Sequence, residues 1–233
     1  MTDPKVTAPA LHVNVGTSRL HHATARTRLA AAADGVGFSS APGFIGCNAP
    51  VVDISYEPQF VSISGIEVFV ARGRPPIWDS YCAHAQLVDE DTVADAEAAV
   101  LVAGVRTAER EWPGLVLALS YAPSQGGFAP GVLVVPESQV AFVGAGTTLR
   151  AYGIGPEVKE WWRDEAELGF WSWRQHGSTV VMSAEVELAA WDTDGTKLWT
   201  RFVEPPWSYS VSGQEVTLDV MGTVRTFDLR SGA

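Results

Sequence analysis

The stretch from Leu133 to Gly232 repeats one pattern three times, and this constrains the fold more than any other feature of the chain. The first copy is LVVPESQVAFVGAGTTLRAYGIGPEVKEWW, Leu133 to Trp162. The second is WSWRQHGSTVVMSAEVELAAWDTDGTKLWT, Trp171 to Thr200, and the third is WSYSVSGQEVTLDVMGTVRTFDLRSG, Trp207 to Gly232. Leu149, Leu188 and Val224 fall at equivalent places, and Trp161 matches Trp199, at a spacing of roughly 36–39 residues, within the range of propellers and solenoids. Inside each copy, short runs of alternating apolar residues are separated by turn residues, the period-two signature of strands. In the second copy the runs are Ser178 to Met182, Glu187 to Trp191 and Lys197 to Phe202. Asp194-Gly195 stands between the last two, a pair that favours a tight hairpin because glycine accepts positive φ. Each copy is therefore expected to fold as an antiparallel meander.

The turns of these copies share a further pattern. Asp192, Gly195 and Trp199 in the second copy form an Asp-turn-Gly sequence followed by a strand Trp. Asp228 and Gly232 keep the Asp and Gly in the third, whose last residues read FDLRSG. The first copy keeps Trp161, with Gly153 in the place of the Asp. In this the copies resemble degenerate PQQ-like repeats, those of quinoprotein-type β-propellers. The resemblance implies a packing motif, in which the Trp fills the space between sheets and the Asp-to-Gly turn shapes a hairpin. It implies a fold and not a cofactor, so no bound quinone and no metal are expected.

Propellers ordinarily have four or more blades, and three copies are visible. The third copy lacks a strand matching Lys197 to Phe202. An open sheet edge leaves N–H and C=O groups unpaired, so another segment is expected to cover it. The candidates are a hairpin over Phe60 to Ala71 and a short strand at Leu11 to Val15.

Upstream of the repeats, Thr17 to Ala33 reads as a helix, with Thr17 or Ser18 as cap, an AAAA run and Gly35 as its end. One of its faces carries Arg19, His21, His22, Arg26 and Arg28. Val51 to Tyr56 and Gln59 to Ser64 read as strands, and Gly65 turns the chain into Glu67 to Ala71. GRPPIWDSYCAHA reads as a structured loop. Asp91 to Glu111 reads as a helix, with Val93, Ala96, Val100, Ala103 and Thr107 on one face; the AVLVAGV run inside it also fits a buried strand. Leu115 to Tyr121 reads as a strand. No clean linker interrupts the chain, so one compact domain over 1–233 is expected, with an N-terminal part over 1–126 and the repeats over 127–233.

The apolar share of 46% is ample for a core. A formal net charge of -11 argues against nucleic-acid and anionic-membrane partners, which require basic patches, and favours a partner with a basic surface. No stretch is long and apolar enough to span a membrane. The residues MTDPKVTAPALHVNVG have no long apolar core, so a cytoplasmic location is expected, with Cys47 and Cys82 as reduced thiols.

Sites of chemistry are scarce. GAGTTL at Gly144 to Leu149 and DTDG at Asp192 to Gly195 read as hairpin turns rather than a phosphate loop or a calcium loop. Cys82 and His84 lack a second ligand pair at zinc spacing. Glu185 and Glu187 would share a strand face, which suits paired carboxylates but equally suits an exposed strand. No catalytic residue is assigned on this basis.

The tryptophans stand out, with seven of nine between Trp161 and Trp207. Trp171 and Trp173 lie two apart in a strand and are expected to share a face. EPPWSY presents Trp207 and Tyr209 on a loop stiffened by two prolines, and RPPIW at Arg74 to Trp78 has the same shape, both open to a cis peptide. Trp171, Trp173, Trp207 and Tyr209 are the candidate binding residues. The reading is a mainly β protein, a propeller-like array of antiparallel meander sheets with one or two N-terminal helices, a β-sandwich being the alternative. Its expected function is that of a non-enzymatic binding protein engaging a protein partner, of immunity or adaptor type. The alternatives are carbohydrate binding on Trp platforms and a hydrolase with unassigned carboxylates.

Overall fold

The computed structural model describes residues 11–14, 58–93, 98–123 and 129–233. The expected helix over 17–33 and the expected strand over 51–56 lie outside the described residues. β1 (Leu11–Asn14), β2 (Gln59–Ile63) and β3 (Ile66–Arg72) precede α1 (Trp78–His84). β4 (Leu87–Asp91), β5 (Ala99–Thr107) and β6 (Leu115–Tyr121) follow. The first repeat supplies β7 (Gly131–Val135), β8 (Val140–Ala145), β9 (Thr148–Ile154) and β10 (Val158–Glu165). The second supplies β11 (Phe170–His176), β12 (Thr179–Ala184), β13 (Glu187–Asp192) and β14 (Lys197–Phe202). The third supplies β15 (Trp207–Ser212), β16 (Glu215–Val220) and β17 (Thr223–Asp228).

The protein is mainly β, a propeller-like array of sheets. Each repeat forms one antiparallel meander, in the orders β7-β8-β9-β10, β11-β12-β13-β14 and β15-β16-β17, with β1 added to the free edge of β7. The fourth sheet has the order β2-β3-β5-β6-β4, antiparallel except where β4 runs parallel to β6. Three hydrophobic cores join the sheets in sequence. Val68, Leu101 and Leu117 of the N-terminal sheet meet Val132, Val143 and Tyr152 of the first meander. The first meander's Leu133, Phe142 and Leu149 meet Trp173, Met182 and Trp191 of the second. The second meander's Val181, Leu188 and Ala190 meet Val216, Leu218 and Phe227 of the third. Strands covered on both faces are buried throughout, as in β7, β8 and β12, whereas β17 has one buried residue in six. A two-sheet sandwich cannot place four sheets in succession, so the sandwich alternative does not apply.

A repeated contact ties the meanders together. Gly195, in the turn between β13 and β14, has φ 88°, and a Cβ there would lie 2.7 Å from the Trp161 ring. Gly232, beyond β17, has φ 69°, and a Cβ there would lie 2.6 Å from Trp199. Trp199 also donates from Nε1 to the Leu229 carbonyl at 2.8 Å and meets the Phe227 ring edge-on at 5.4 Å. Each outer-strand indole thus rests on the backbone of the next sheet's turn, where only glycine leaves room. Trp161 and Trp199 were expected to fill the space between sheets. Trp199, half-buried, does pack against the core between the second and third meanders, whereas Trp161 remains 38% exposed and Trp173 and Trp191 fill the space between the first and second.

Three expectations about the N-terminal part are corrected. Within Asp91 to Glu111, the segment Ala99–Thr107 is not helical but is β5, a central strand between β3 and β6. Its Leu101, Ala103 and Val105 face the first meander, and Val102 faces α1, so both faces are apolar and a helical spacing arises by coincidence. GRPPIWDSYCAHA, read as a structured loop, instead contains α1 over Trp78–His84, with the acidic Asp79 in its first turn. Neither the β2–β3 hairpin nor β1 covers the third meander. The hairpin pairs with β5 through β3, and β1 pairs with β7. Among the described residues, β17 pairs only with β16.

Candidate binding site

Three of the four aromatic residues singled out in the sequence come together where β11 faces β15. Trp171 and Trp207 stack at 5.2 Å between ring centroids and 20° between planes. Trp207 stacks on Tyr209 at 6.2 Å and 30°. Trp207 is anchored by a hydrogen bond from its Nε1 to the Glu185 carbonyl at 2.8 Å. The loop before it contains a cis Pro205–Pro206 peptide bond. Tyr209 is flanked by Arg174, whose guanidinium lies 5.9 Å from the ring centroid, and by His176, edge-on at 6.4 Å. Burial, and then the charge of Arg174, lower the His176 pKa, so the imidazole is neutral at pH 7. The result is a half-buried ladder of two indoles and a phenol ending in a cation.

Trp173 is not part of it, which corrects the expectation that Trp171 and Trp173 share a face. A β-bulge shifts the register between Phe170 and Ser172, leaving Trp171 without a partner on β12. The extra residue reverses the alternation. Phe170 and Trp173 therefore point into the core between the first two meanders, where Trp173 is fully buried against Phe142 and Trp191.

The pairing of Glu185 and Glu187 is likewise not formed on one strand. Glu185 lies in the turn before β13, and Glu187 opens β13 as a buried side chain accepting from the Glu167 N–H at 3.1 Å. Burial, with Asp164 and Glu167 adding to it, raises the Glu187 pKa against the opposing pull of that hydrogen bond and Lys197. The Cys82–His84 segment lies in α1, where the His84 ring stacks on Trp112 at 4.5 Å and its Nδ1 donates to the Ser80 carbonyl at 2.8 Å. Among the described residues no three His, Cys, Asp or Glu side chains converge as a metal site, and no helix is long and apolar enough to cross a membrane.

One polar cluster had no signal in the sequence. Asp89 of β4, 7% exposed, forms an ion pair with the buried guanidinium of Arg150 on β9. Arg150 also reaches Asp91, and the Tyr152 hydroxyl donates to Asp89 at 2.7 Å. Arg163 of β10 lies 3.5 Å from the other Asp89 oxygen. Burial pushes the Asp89 pKa up, but the hydrogen bonds from Arg150 and Tyr152, with the charges of Arg150 and Arg163, outweigh it and hold the carboxyl below its usual range. Burial and the bond to Asp89 push the Tyr152 hydroxyl well up. These groups pair with one another across the joint between two sheets, while the buried Arg150 Nε has no hydrogen-bond partner among the described residues. They connect residues about 60 to 70 apart in sequence, beyond the reach of any spacing rule.

A groove of about 610 Å³ opens at the turn end of that same joint, lined by Ser64, Gly65, Ala108, Arg110, Gln139 and Gly155 among others. It contains neither Asp89 nor Glu187.

No protein-family profile matches the chain, and no curated protein matches it. Among solved structures, the chain is similar to the computationally designed Ika8 protein at 15% identity and a TM-score of 0.33, over 75% of this chain and 58% of that one. It is similar also to BamB from Moraxella catarrhalis at 9% identity and a TM-score of 0.26, over 76% of this chain and 70% of that one. The chain thus spans less than two thirds of the designed protein's length.

Proposed function

We propose that this protein is a non-enzymatic interaction module, of immunity or adaptor type, which engages a protein partner with a basic surface through the Trp171–Trp207–Tyr209 ladder. The repeats that carry the ladder are, in this reading, degenerate PQQ-like blades used for scaffolding. The paired docking of Trp161 on Gly195 and Trp199 on Gly232 supports that view. The observation that carries the function is the ladder itself, half-exposed and ending in Arg174. Trp, Tyr and Arg are the residues that most often dominate binding energy at protein interfaces. The net charge of -11 complements a basic partner and raises encounter rates.

The stacking weighs against the carbohydrate reading. A sugar platform requires a free indole face, and Trp207 carries both the Trp171 ring at 5.2 Å and the Tyr209 ring at 6.2 Å, which leaves only the far face of Trp171 for one. The hydrolase reading has less support. Asp89 is held by Arg150 and Tyr152, and Glu187 lies buried outside the groove.

Partner capture from a host extract, with wild type and a Trp171→Ala/Tyr209→Ala variant as baits, tests the proposal. A protein that rebinds purified wild type and loses tenfold or more affinity for the variant, about 1.4 kcal/mol or more, is expected. A partner that binds both baits equally would overturn the assignment, and saturable binding on a glycan array would favour the carbohydrate alternative.

A further inference from the structure

The third meander has an open edge in the place where the other two carry a strand. β9 and β13, the third strands of the first and second meanders, are covered by β10 and β14, but β17 pairs only with β16 among the described residues. The turn that precedes such a strand is formed all the same. In the second meander the Asp192 N–H donates to the Thr196 carbonyl at 2.7 Å and the Gly195 N–H to the Asp192 carbonyl at 2.9 Å, and Lys197 then opens β14. In the third the Asp228 N–H donates to the Ala233 carbonyl at 2.9 Å and the Gly232 N–H to the Asp228 carbonyl at 2.9 Å. The backbone groups of Asp228 therefore point away from β16, whereas the Leu229 N–H donates to the Gln214 carbonyl on the β16 side at 2.7 Å. Alternate residues of an antiparallel strand direct N–H and C=O to the same side, so those of Val224 and Thr226 face the open side. Both residues are exposed. Bulges and prolines are devices that blunt an edge. The β16–β17 register runs without a shift and the strand holds no proline, while the β9–β10 and β13–β14 pairs each contain a bulge.

The outer face of this sheet selects the occupant. The inner face, with Val216, Leu218 and Phe227, packs on the second meander. On the other face Asp219 stands beside Val224, Thr217 beside Thr226 and Glu215 beside Asp228, and β15 adds only serines. That face therefore holds carboxylates and no Lys or Arg. Glu215 and Asp228 are exposed and directly opposite one another, where like charges repel. A strand added beyond β17 with basic side chains on this face relieves that repulsion, whereas a second copy of this chain brings the same carboxylates. We infer that the open edge of β17 takes an extended segment of a partner protein as a fourth strand, antiparallel to β17. The backbone of Val224 and Thr226 holds it, and Lys or Arg alternate along its outer face. In this mode main-chain bonds supply affinity and alternate side chains supply specificity. The edge lies across the third meander from β15, so this assignment and that of the Trp171–Trp207–Tyr209 ladder can each fail without the other.

The probe is the peptide Thr-Lys-Val-Lys-Val-Lys-Thr with blocked ends, and the control is the same peptide with Glu in place of each Lys. In the protein alone, the Val224 and Thr226 amides should exchange with solvent about tenfold or more faster than those of Arg225 and Phe227, which face β16. Saturating Lys peptide is expected to slow exchange at Val224 and Thr226 by about tenfold or more, with saturable ¹H–¹⁵N shifts along β17. The Glu peptide should bind about tenfold or more weakly. Thr226→Pro removes a donor from the open side without touching the ladder to β16, and should abolish binding. Glu215→Lys, at an exposed position, should weaken the Lys peptide several-fold in a spectrum that retains wild-type dispersion. Protection of Val224 and Thr226 in the protein alone, which a segment of this chain or a second copy would give, would overturn the inference. So would the absence of saturable binding, equal binding of both peptides, shifts centred on Trp207 and Tyr209, or insensitivity to both variants.

Discussion

Trp191→Ala is expected to lose about 3–5 kcal/mol of unfolding free energy, measured by urea denaturation. Trp191 is 1% exposed at the centre of the joint between the first and second meanders. It stacks on Trp162 at 5.4 Å and meets Trp173 edge-on at 5.2 Å, with the Lys197 ammonium 5.2 Å from its ring. Its neighbours Phe142 and Met182 belong to strands hydrogen-bonded on both sides, so the cavity cannot close by backbone movement. Phe202→Ala is the contrast, since that ring is 64% exposed, and a change within about 0.5 kcal/mol is expected. A Trp191→Ala loss below about 1 kcal/mol would contradict the described packing.

Arg150→Met is expected to cost a similar amount, about 3–5 kcal/mol at pH 7, for a different reason. The methionine fits the volume of the stem but leaves Asp89 buried without its principal cation. Adding Asp89→Asn should recover much of the loss, because the stranded charge carries most of the cost. The dependence on pH separates this from a packing defect. In the wild type the folded Asp89 pKa is lowered, so its contribution is complete above the unfolded value of about 4 and is lost as pH falls through the folded value. In Arg150→Met the folded pKa should instead rise, so protonation relieves the variant on acidification. The gap between the two proteins should therefore be widest near neutrality and narrow below about pH 4. A gap independent of pH would show that Asp89 and Arg150 are not coupled.

What the sequence made legible was local. The meanders were readable because alternation and the Asp194-Gly195 turn are set within a few residues, and each repeat confirms the next. The β2–β3 hairpin was readable for the same reason, with Ser64 and Gly65 at φ 47° and 77°. β5 reads first as helix, with a buried strand as the alternative that the structure adopts, because a strand covered on both faces loses its alternation and a continuous apolar run fits either period. The opposite orientations of Trp171 and Trp173 depend on one bulge, which shows only in the pairing with β12. The Asp89–Arg150–Tyr152 cluster depends on how two sheets stack, and LVDED carries no mark of it. The candidate site was legible in its residue types, three of whose four members meet, and not in its geometry.

The central structural claim is that successive meanders are locked by an indole seated on the next turn's glycine. Proton NMR of Gly195 and Gly232 tests it most directly. Both pairs of Hα protons should be displaced upfield by ring currents, with cross-peaks from Gly195 to Trp161 and from Gly232 to Trp199, while Gly155 keeps ordinary glycine shifts. Ordinary shifts at Gly195 and Gly232, without those cross-peaks, would contradict the account.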